Sequence, residues 1–274
     1  MAPVKFDDIS KTAKEVLSDD FQTSGYEFKA KQKTSFDGAV LTSSVDLFSP
    51  KDSVVTPTKL SWKLPAPLGC PAFSVDKLEM DKAGKFKLEA SSDKVYPGLK
   101  VECKSDLVDL AKVSAGCTYS GMPDTLVKIE TKPAKPQDFT VEVTRAAGIA
   151  TFGVKAGMAN IACPDLGVRF LSGNFFCSLY AKDKISAFTA HAFVKATPEL
   201  KLAASCDYGK KSGFALGCSY DAMKGTKLKV KVQQDQSVSC SVKHEFTKGF
   251  TVVAGARYDT AKQDYSTGLQ LSIE

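Results

Sequence analysis

The sequence predicts a transmembrane antiparallel β-barrel of about 19 strands, preceded by an N-terminal amphipathic helix. The helix and its linker are expected over residues 1–24 and the barrel over 25–274. Three observations carry this prediction. A helical apolar stripe occupies the first twenty residues. A period-two alternation then runs to the end of the chain, with lysines concentrated on one parity. Short turn signals separate the alternating runs, and no second helical run interrupts them.

In the helix, Phe6, Ile9, Ala13, Val16 and Leu17 fall at i, i+3, i+7, i+10 and i+11, which places them on one face. Asp7, Lys11, Lys14 and Glu15 occupy the remaining surface. Asp7 and Asp8 favour the positive end of the helix dipole. On periodicity alone, the simpler reading of such a helix is a surface helix on a globular domain.

From residue 25 the pattern changes. Phe86, Leu88 and Ala90 alternate with Lys85, Lys87 and Glu89, and Leu99, Val101 and Cys103 with Lys100, Glu102 and Lys104. Leu228, Val230 and Val232 alternate with Lys227, Lys229 and Lys231. Val238, Cys240 and Val242, and later Leu269, Leu271 and Ile273, repeat the pattern. Alternation puts the two sets on opposite faces of a strand. Asp37-Gly38, Lys82-Ala83-Gly84, Met122-Pro123-Asp124, Gly173-Asn174, Lys182-Asp183, Gly209-Lys210 and Thr247-Lys248-Gly249 mark turns. Strands of about 9–11 residues with short turns consume roughly 13 residues each, so about 250 residues yield about 19 strands. Pro57, Pro65, Pro67 and Pro71 crowd one stretch, and the register is least determined between residues 50 and 75.

A soluble β-sandwich competes with a membrane barrel. Short turns favour a meander over Greek keys, and Phe139 to Arg145 carries apolar outward residues with no second sheet to cover them. A lysine facing lipid costs about 2–4 kcal/mol at mid-bilayer, so segregation of lysine to one parity is a physical demand of the membrane. Cys103, Cys117, Cys177, Cys206, Cys218 and Cys240 share parity with apolar neighbours and read as small hydrophobes. Gly153-x-x-x-Gly157 and Gly213-x-x-x-Gly217 lie in strand patterns and read as packing or thin spots.

Composition narrows the function classes. The 274 residues carry a formal charge of +6, with 43% hydrophobic and 25% charged residues, which argues against disorder. No charge-free apolar run is long enough for a transmembrane helix. Arginine occurs only at Arg145, Arg169 and Arg257, so nucleic-acid binding is not expected. Eight cysteines form no C-x-x-C, and His191 and His244 have no nearby ligand partner, so no zinc site is expected. Asp7 and Asp8 stand where a signal peptide would be apolar, which favours intracellular synthesis without disulfides. No Ser/His/Asp set, phosphate loop or histidine pair supports an enzyme, and no cofactor is expected.

The ends of the chain carry a resemblance. Phe6-Asp7-Asp8-Ile9-Ser10-Lys11-Thr12-Ala13-Lys14-Glu15-Val16-Leu17, following Ala2-Pro3, resembles the N-terminal helix of the mitochondrial porins, the voltage-dependent anion channels. Pro97-Gly98-Leu99-Lys100 contains the family's Gly-Leu-Lys tripeptide at a strand entry, and Thr58-Lys59-Leu60-Ser61-Trp62 is similar to its Trp-containing third strand. Ser266-Thr267-Gly268-Leu269-Gln270-Leu271-Ser272-Ile273 resembles the C-terminal signal of mitochondrial outer-membrane barrels. The resemblance implies a 19-stranded barrel with the helix inside the pore and with the first and last strands, near 26–34 and 265–273, paired in parallel. It also implies a voltage-gated channel of the mitochondrial outer membrane, rather than a plastid envelope, in contact with membrane lipid. Small anionic metabolites and nucleotides (ATP, ADP, phosphate) would cross it, and copies of the chain could assemble as a homo-oligomer. The pore subunit of the mitochondrial protein translocase shares the barrel type but usually carries a longer N-terminal extension. A bacterial porin would want a signal peptide and an even strand count.

The candidate pore-lining cations by parity are Lys29, Lys31, Lys85, Lys87, Lys100, Lys104, Lys201, Lys227, Lys229, Lys231 and Arg257, and the resemblance adds Lys11 and Lys14. Glu27, Glu89, Glu102 and Glu245 would moderate their field. Two departures from the family stand out. The connector Asp19–Ser24 has no glycine where the family has several, so the helix is expected to swing less freely. The membrane-facing glutamate of some members has no firm counterpart near Lys77 and Glu79.

Overall fold

The computed structural model describes residues 3–34, 38–48, 58–70, 72–81, 83–209 and 212–274. The N-terminal segment opens with one 3₁₀ turn, Phe6–Asp8, followed by helix α1, Lys11–Leu17. Nineteen strands follow: β1 Gly25–Lys33, β2 Val40–Phe48, β3 Thr58–Leu64, β4 Ser74–Met80, β5 Phe86–Tyr96, β6 Leu99–Asp106, β7 Ser114–Tyr119, β8 Thr125–Lys132, β9 Lys135–Ala147 and β10 Ala150–Gly157. The rest are β11 Asp165–Ser172, β12 Phe175–Lys182, β13 Ala187–Lys195, β14 Leu200–Tyr208, β15 Gly213–Met223, β16 Thr226–Gln233, β17 Ser237–Thr247, β18 Phe250–Asp259 and β19 Asp264–Ile273.

Each strand pairs antiparallel with the next, and the sheet closes by a parallel pairing of β1 with β19. Gly25 faces Gly268 and Ala30 faces Ile273 across that seam. An odd strand count forces one parallel joint, because alternating directions cannot otherwise close a ring. Nineteen strands spaced about 4.8 Å apart and tilted about 40° enclose a tube roughly 35–40 Å across at the backbone.

The two faces of the wall are inverted relative to a water-soluble protein. Val230 and Leu216 are 40% and 48% exposed, whereas Ser219 and Ser241 are 2% and 3% exposed. An outer skin of this kind is stable only against hydrocarbon, because apolar area in water is penalised by about 25 cal/mol per Å². Tyr26, Tyr208, Tyr258 and Tyr265 stand exposed and outward at one rim, where their rings and hydroxyls suit the lipid–water boundary. Arg145 also takes outward parity, opposite Phe152 and Thr125, but it lies beside the β9–β10 turn, within reach of headgroups. All eight cysteines are free, and the six named above lie on the outward parity.

The two described prolines of the irregular stretch lie outside its strands. Pro65 follows the last residue of β3 and Pro67 opens a 3₁₀ turn, Pro67–Gly69, so neither interrupts a ladder. The β3–β4 register slips between Trp62 and Leu64. Pro57 and Pro71 lie outside the described residues, as do Asp37, Lys82 and Lys210 of the turn signals. Gly38 survives as a left-handed residue at φ +64°, as a tight hairpin requires.

The continuous helix expected over the first twenty residues is instead broken at Ile9–Ser10. The amide of Ser10 donates to the Tyr180 hydroxyl at 3.1 Å rather than to a carbonyl one turn back. The Tyr180 hydroxyl in turn reaches the Phe6 carbonyl at 3.1 Å. A wall residue thus satisfies the backbone groups that a break would orphan.

Candidate pore lining

The N-terminal segment identifies the inner face of the wall. Its 3₁₀ turn meets β9 and β10, and α1 meets β13, β14 and β15. Further on, Lys229 of β16 and Ser241 of β17 bond its backbone. One short segment touches strands this far apart because it runs along the concave side of a tube. A helix about 10 Å wide against one wall leaves most of the cross-section open to water.

Phe6, Ile9, Ala13, Val16 and Leu17 are all turned to the wall, at 0%, 0%, 0%, 4% and 5% exposure. The wall receives them where side chains are missing. A methyl group built on Gly153 would stand 2.7 Å from Ile9 and 2.9 Å from Phe6, and one on Gly217 2.8 Å from Leu17. These glycines serve as seats for the helix, in line with the packing role expected from their strand pattern. Phe6 also meets the Tyr180 ring edge-on at 5.4 Å. Thr144 donates to the Val4 carbonyl at 2.5 Å, and Lys155 bridges Glu142 at 2.8 Å and Asp7 at 3.4 Å.

Asp20, just past the helix, ties down the other end. Its carboxylate lies 2.9 Å from Lys243 and 3.5 Å from Lys229. Burial alone would raise its pKa, but the two lysines outweigh burial and hold it below the ordinary 3.8. A carboxylate with a depressed folded pKa contributes stability that is complete above its unfolded value and is lost as pH falls through the lower folded value. Hydrogen exchange of residues 11–24 is therefore expected to stay protected from pH 7 to about 4 and to loosen only below that. Asn at position 20 should abolish this acid step; a step unchanged in the Asn variant would assign it to another group.

The candidate cations distribute as follows. Lys227, Lys229 and Lys231 share the inner face of β16, where Lys227 lies 3.7 Å from Asp221 and Lys231 stands 5.2 Å from the Phe21 ring centre. Lys201 bridges Asp221 at 3.4 Å and Arg257 bridges Asp235 at 3.0 Å. Lys29 pairs with Glu27 at 3.0 Å, and Lys31 crosses the seam to Glu274 at 2.7 Å. Lys100 pairs with Glu102 at 3.2 Å, Lys87 stands opposite Glu79 and Asp106, and Lys104 stands opposite Glu89. Lys85 departs from the expectation of a strand position: it lies in the β4–β5 turn, where its amide donates to Asp81. The ladder begins only at Phe86, because the Asp81 carboxylate organises the preceding turn. On the helix, Lys14 stands 6.0 Å from the Tyr180 ring centre, and Lys11 is exposed, away from the buried stripe.

The same inner parity holds Lys59, Lys63, Lys77, Lys128, Lys155, Lys182, Lys243 and Arg169, none of which was among the candidates. Counting parity through every strand from its cleanest residues would have found them. Glu79 faces inward too, paired with Lys77, so this position offers no lipid-facing glutamate.

Residues 2–268 match the family model described as eukaryotic porin. The chain belongs to the eukaryotic porin family. Among solved structures, this porin is similar to one described as "Asymmetric conductivity of engineered proteins", with a TM-score of 0.51 and 9% identity over 84% of this chain and 94% of the other. That likeness shows the barrel fold alone. A Rhodopseudomonas blastica porin triple mutant aligns at a TM-score of 0.49 and 9% identity, over 84% of this chain and 93% of its own. Among curated protein sequences, none matches this porin. Family and fold together make it a pore-forming channel of an outer membrane through which small solutes pass.

Proposed function

We propose that this porin is an anion-preferring, voltage-gated metabolite channel of the mitochondrial outer membrane, passing ATP, ADP and phosphate. The observation that carries the reading is the placement of its basic residues: the net charge of +6 comes largely from lysines on the water-facing parity. Many of them are paired to carboxylates, and exposed pairs of this kind bind weakly. A lumen lined this way raises the local concentration of anions and still releases them, as conduction requires. The mitochondrial assignment, and the inclusion of Lys11 and Lys14, rest on the resemblance of the helix and of the C-terminal strand. Voltage dependence draws on the same source: each unit charge carried across the field is worth about 2.3 kcal/mol per 100 mV.

Planar bilayers under a potassium chloride gradient test the reading. The wild-type reversal potential should show anion preference. Replacing Lys11 and Lys14 with Glu should reduce it, because both stand on the water side of the helix. A wild-type pore without anion preference would end the reading, and an unchanged potential in the double variant would remove the helix lysines from it.

A further inference from the structure

The contact that holds the end of the N-terminal segment lies in a lysine-rich sector of the lumen. Strands β14, β16 and β17 bring Lys201, Lys227, Lys229 and Lys243 onto the inner face, and Lys227 stands directly opposite Lys243 in register. Like charges directly opposite each other destabilise a sheet. Two carboxylates answer these four cations. Asp221 belongs to the wall and serves Lys201 and Lys227. Asp20 belongs to the N-terminal segment and serves Lys229 and Lys243.

Lys229 is the most deeply held of the four, with its side chain only 6% exposed. Its ammonium donates to the Glu15 carbonyl at 2.6 Å and the Asp19 carbonyl at 3.0 Å, with Asp20 at 3.5 Å. Three donors therefore find three oxygens. The two carbonyls belong to the last turn of α1 and the residues after it, where a helix leaves acceptors unsatisfied and favours a cation. Ser241 adds a hydrogen bond to the Asp20 carbonyl. Asp20 itself is left-handed at φ 58°, a conformation that Asp tolerates better than most residues. The connector thus turns onto the wall at this point without needing a glycine.

We propose that Asp20 is a selectivity-determining residue of this porin. Docked, it offsets part of the positive charge of Lys229 and Lys243, and with the carbonyls of Glu15 and Asp19 it withdraws Lys229 from the aqueous path. The N-terminal segment is thereby a charge mask, and its position sets how much of the wall acts on passing ions. This inference rests on the anion-preferring reading above.

Reversal potentials and amine labelling of the reconstituted full chain test it. Asp20→Asn keeps the shape and removes one negative charge from the water-facing side of the wall, so the anion-to-cation permeability ratio should rise about twofold at low salt and less at high salt. Lys243→Gln should lower the ratio, which gives a second arm of opposite sign if the first variant folds poorly. In wild-type protein, an amine-reactive acylating reagent followed by peptide mass spectrometry should modify Lys229 at least about fivefold more slowly than Lys227. Asp20→Ala should narrow that gap. Wild-type anion preference with an unchanged ratio in both variants would overturn the inference and leave the channel reading standing. Equal labelling of Lys229 and Lys227 in the wild type would overturn the mask directly. A wild-type pore with no anion preference would instead remove the reading beneath it.

Discussion

Replacing Val230 with Lys is expected to destabilise the barrel by about 2–4 kcal/mol, the cost of an ammonium facing hydrocarbon near mid-bilayer. Val230 sits midway along β16 between Cys218 and Cys240, on the outward parity. Its neighbours Lys229 and Lys231 already carry ammonium groups in the same strand, so sequence position alone does not forbid the charge. The face does. Thr140→Lys supplies the contrast, because Thr140 points inward, opposite Glu130. That variant should be near neutral or slightly stabilising. Urea unfolding in lipid vesicles gives both values. With total stabilities of order 5–15 kcal/mol, the Val230 variant should also fold in lower yield. Equal losses at the two positions, or none at Val230, would contradict the assignment of the faces.

Gly153→Val should evict the N-terminal segment from the wall while leaving the barrel intact. The new side chain would occupy the space held by Ile9 and Phe6, and both are wholly buried. Full burial of each is worth about 1.5–3 kcal/mol, so losing both removes about 3–6 kcal/mol from docking. The strand itself gains a β-branched residue, which the ladder favours. Hydrogen exchange should therefore rise sharply in residues 4–17 with little change in the strands. Single-channel records should show a change in open-pore conductance as the segment leaves its seat. Gly116→Ala, also on the inner face but away from the helix, is the control: its nearest contact would be the Ile129 carbonyl at 3.4 Å. Unchanged protection of residues 4–17 in the Gly153 variant would show that these contacts do not hold the segment.

Much of this architecture is local information. Leu228-x-Val230-x-Val232 against Lys227-x-Lys229-x-Lys231 declares two faces within a few residues, because a strand turns over at every residue. The helix stripe is equally local, and all five of its members are buried. The stretch with crowded prolines was harder, since a slip such as that between Trp62 and Leu64 depends on the partner strand as well as on the strand itself. Of the inward lysines missing from the candidates, Lys128 sits in a run whose alternation is diluted by Glu and Thr, whereas Lys243 continues the polar parity of Val238-x-Cys240-x-Val242 and was legible there.

The sequence by itself determined which side chains meet lipid and which meet water, how many strands share the wall, and which stripe of the helix is buried. Periodicity encodes these directly, since each is a property of neighbours along the chain. Only the tertiary structure decided where the segment breaks, which glycines receive Phe6, Ile9 and Leu17, and that Asp20 finds Lys229 and Lys243. Each of those pairs residues more than 130 positions apart. Their meeting is set by the curvature of a closed ring, which no local pattern specifies.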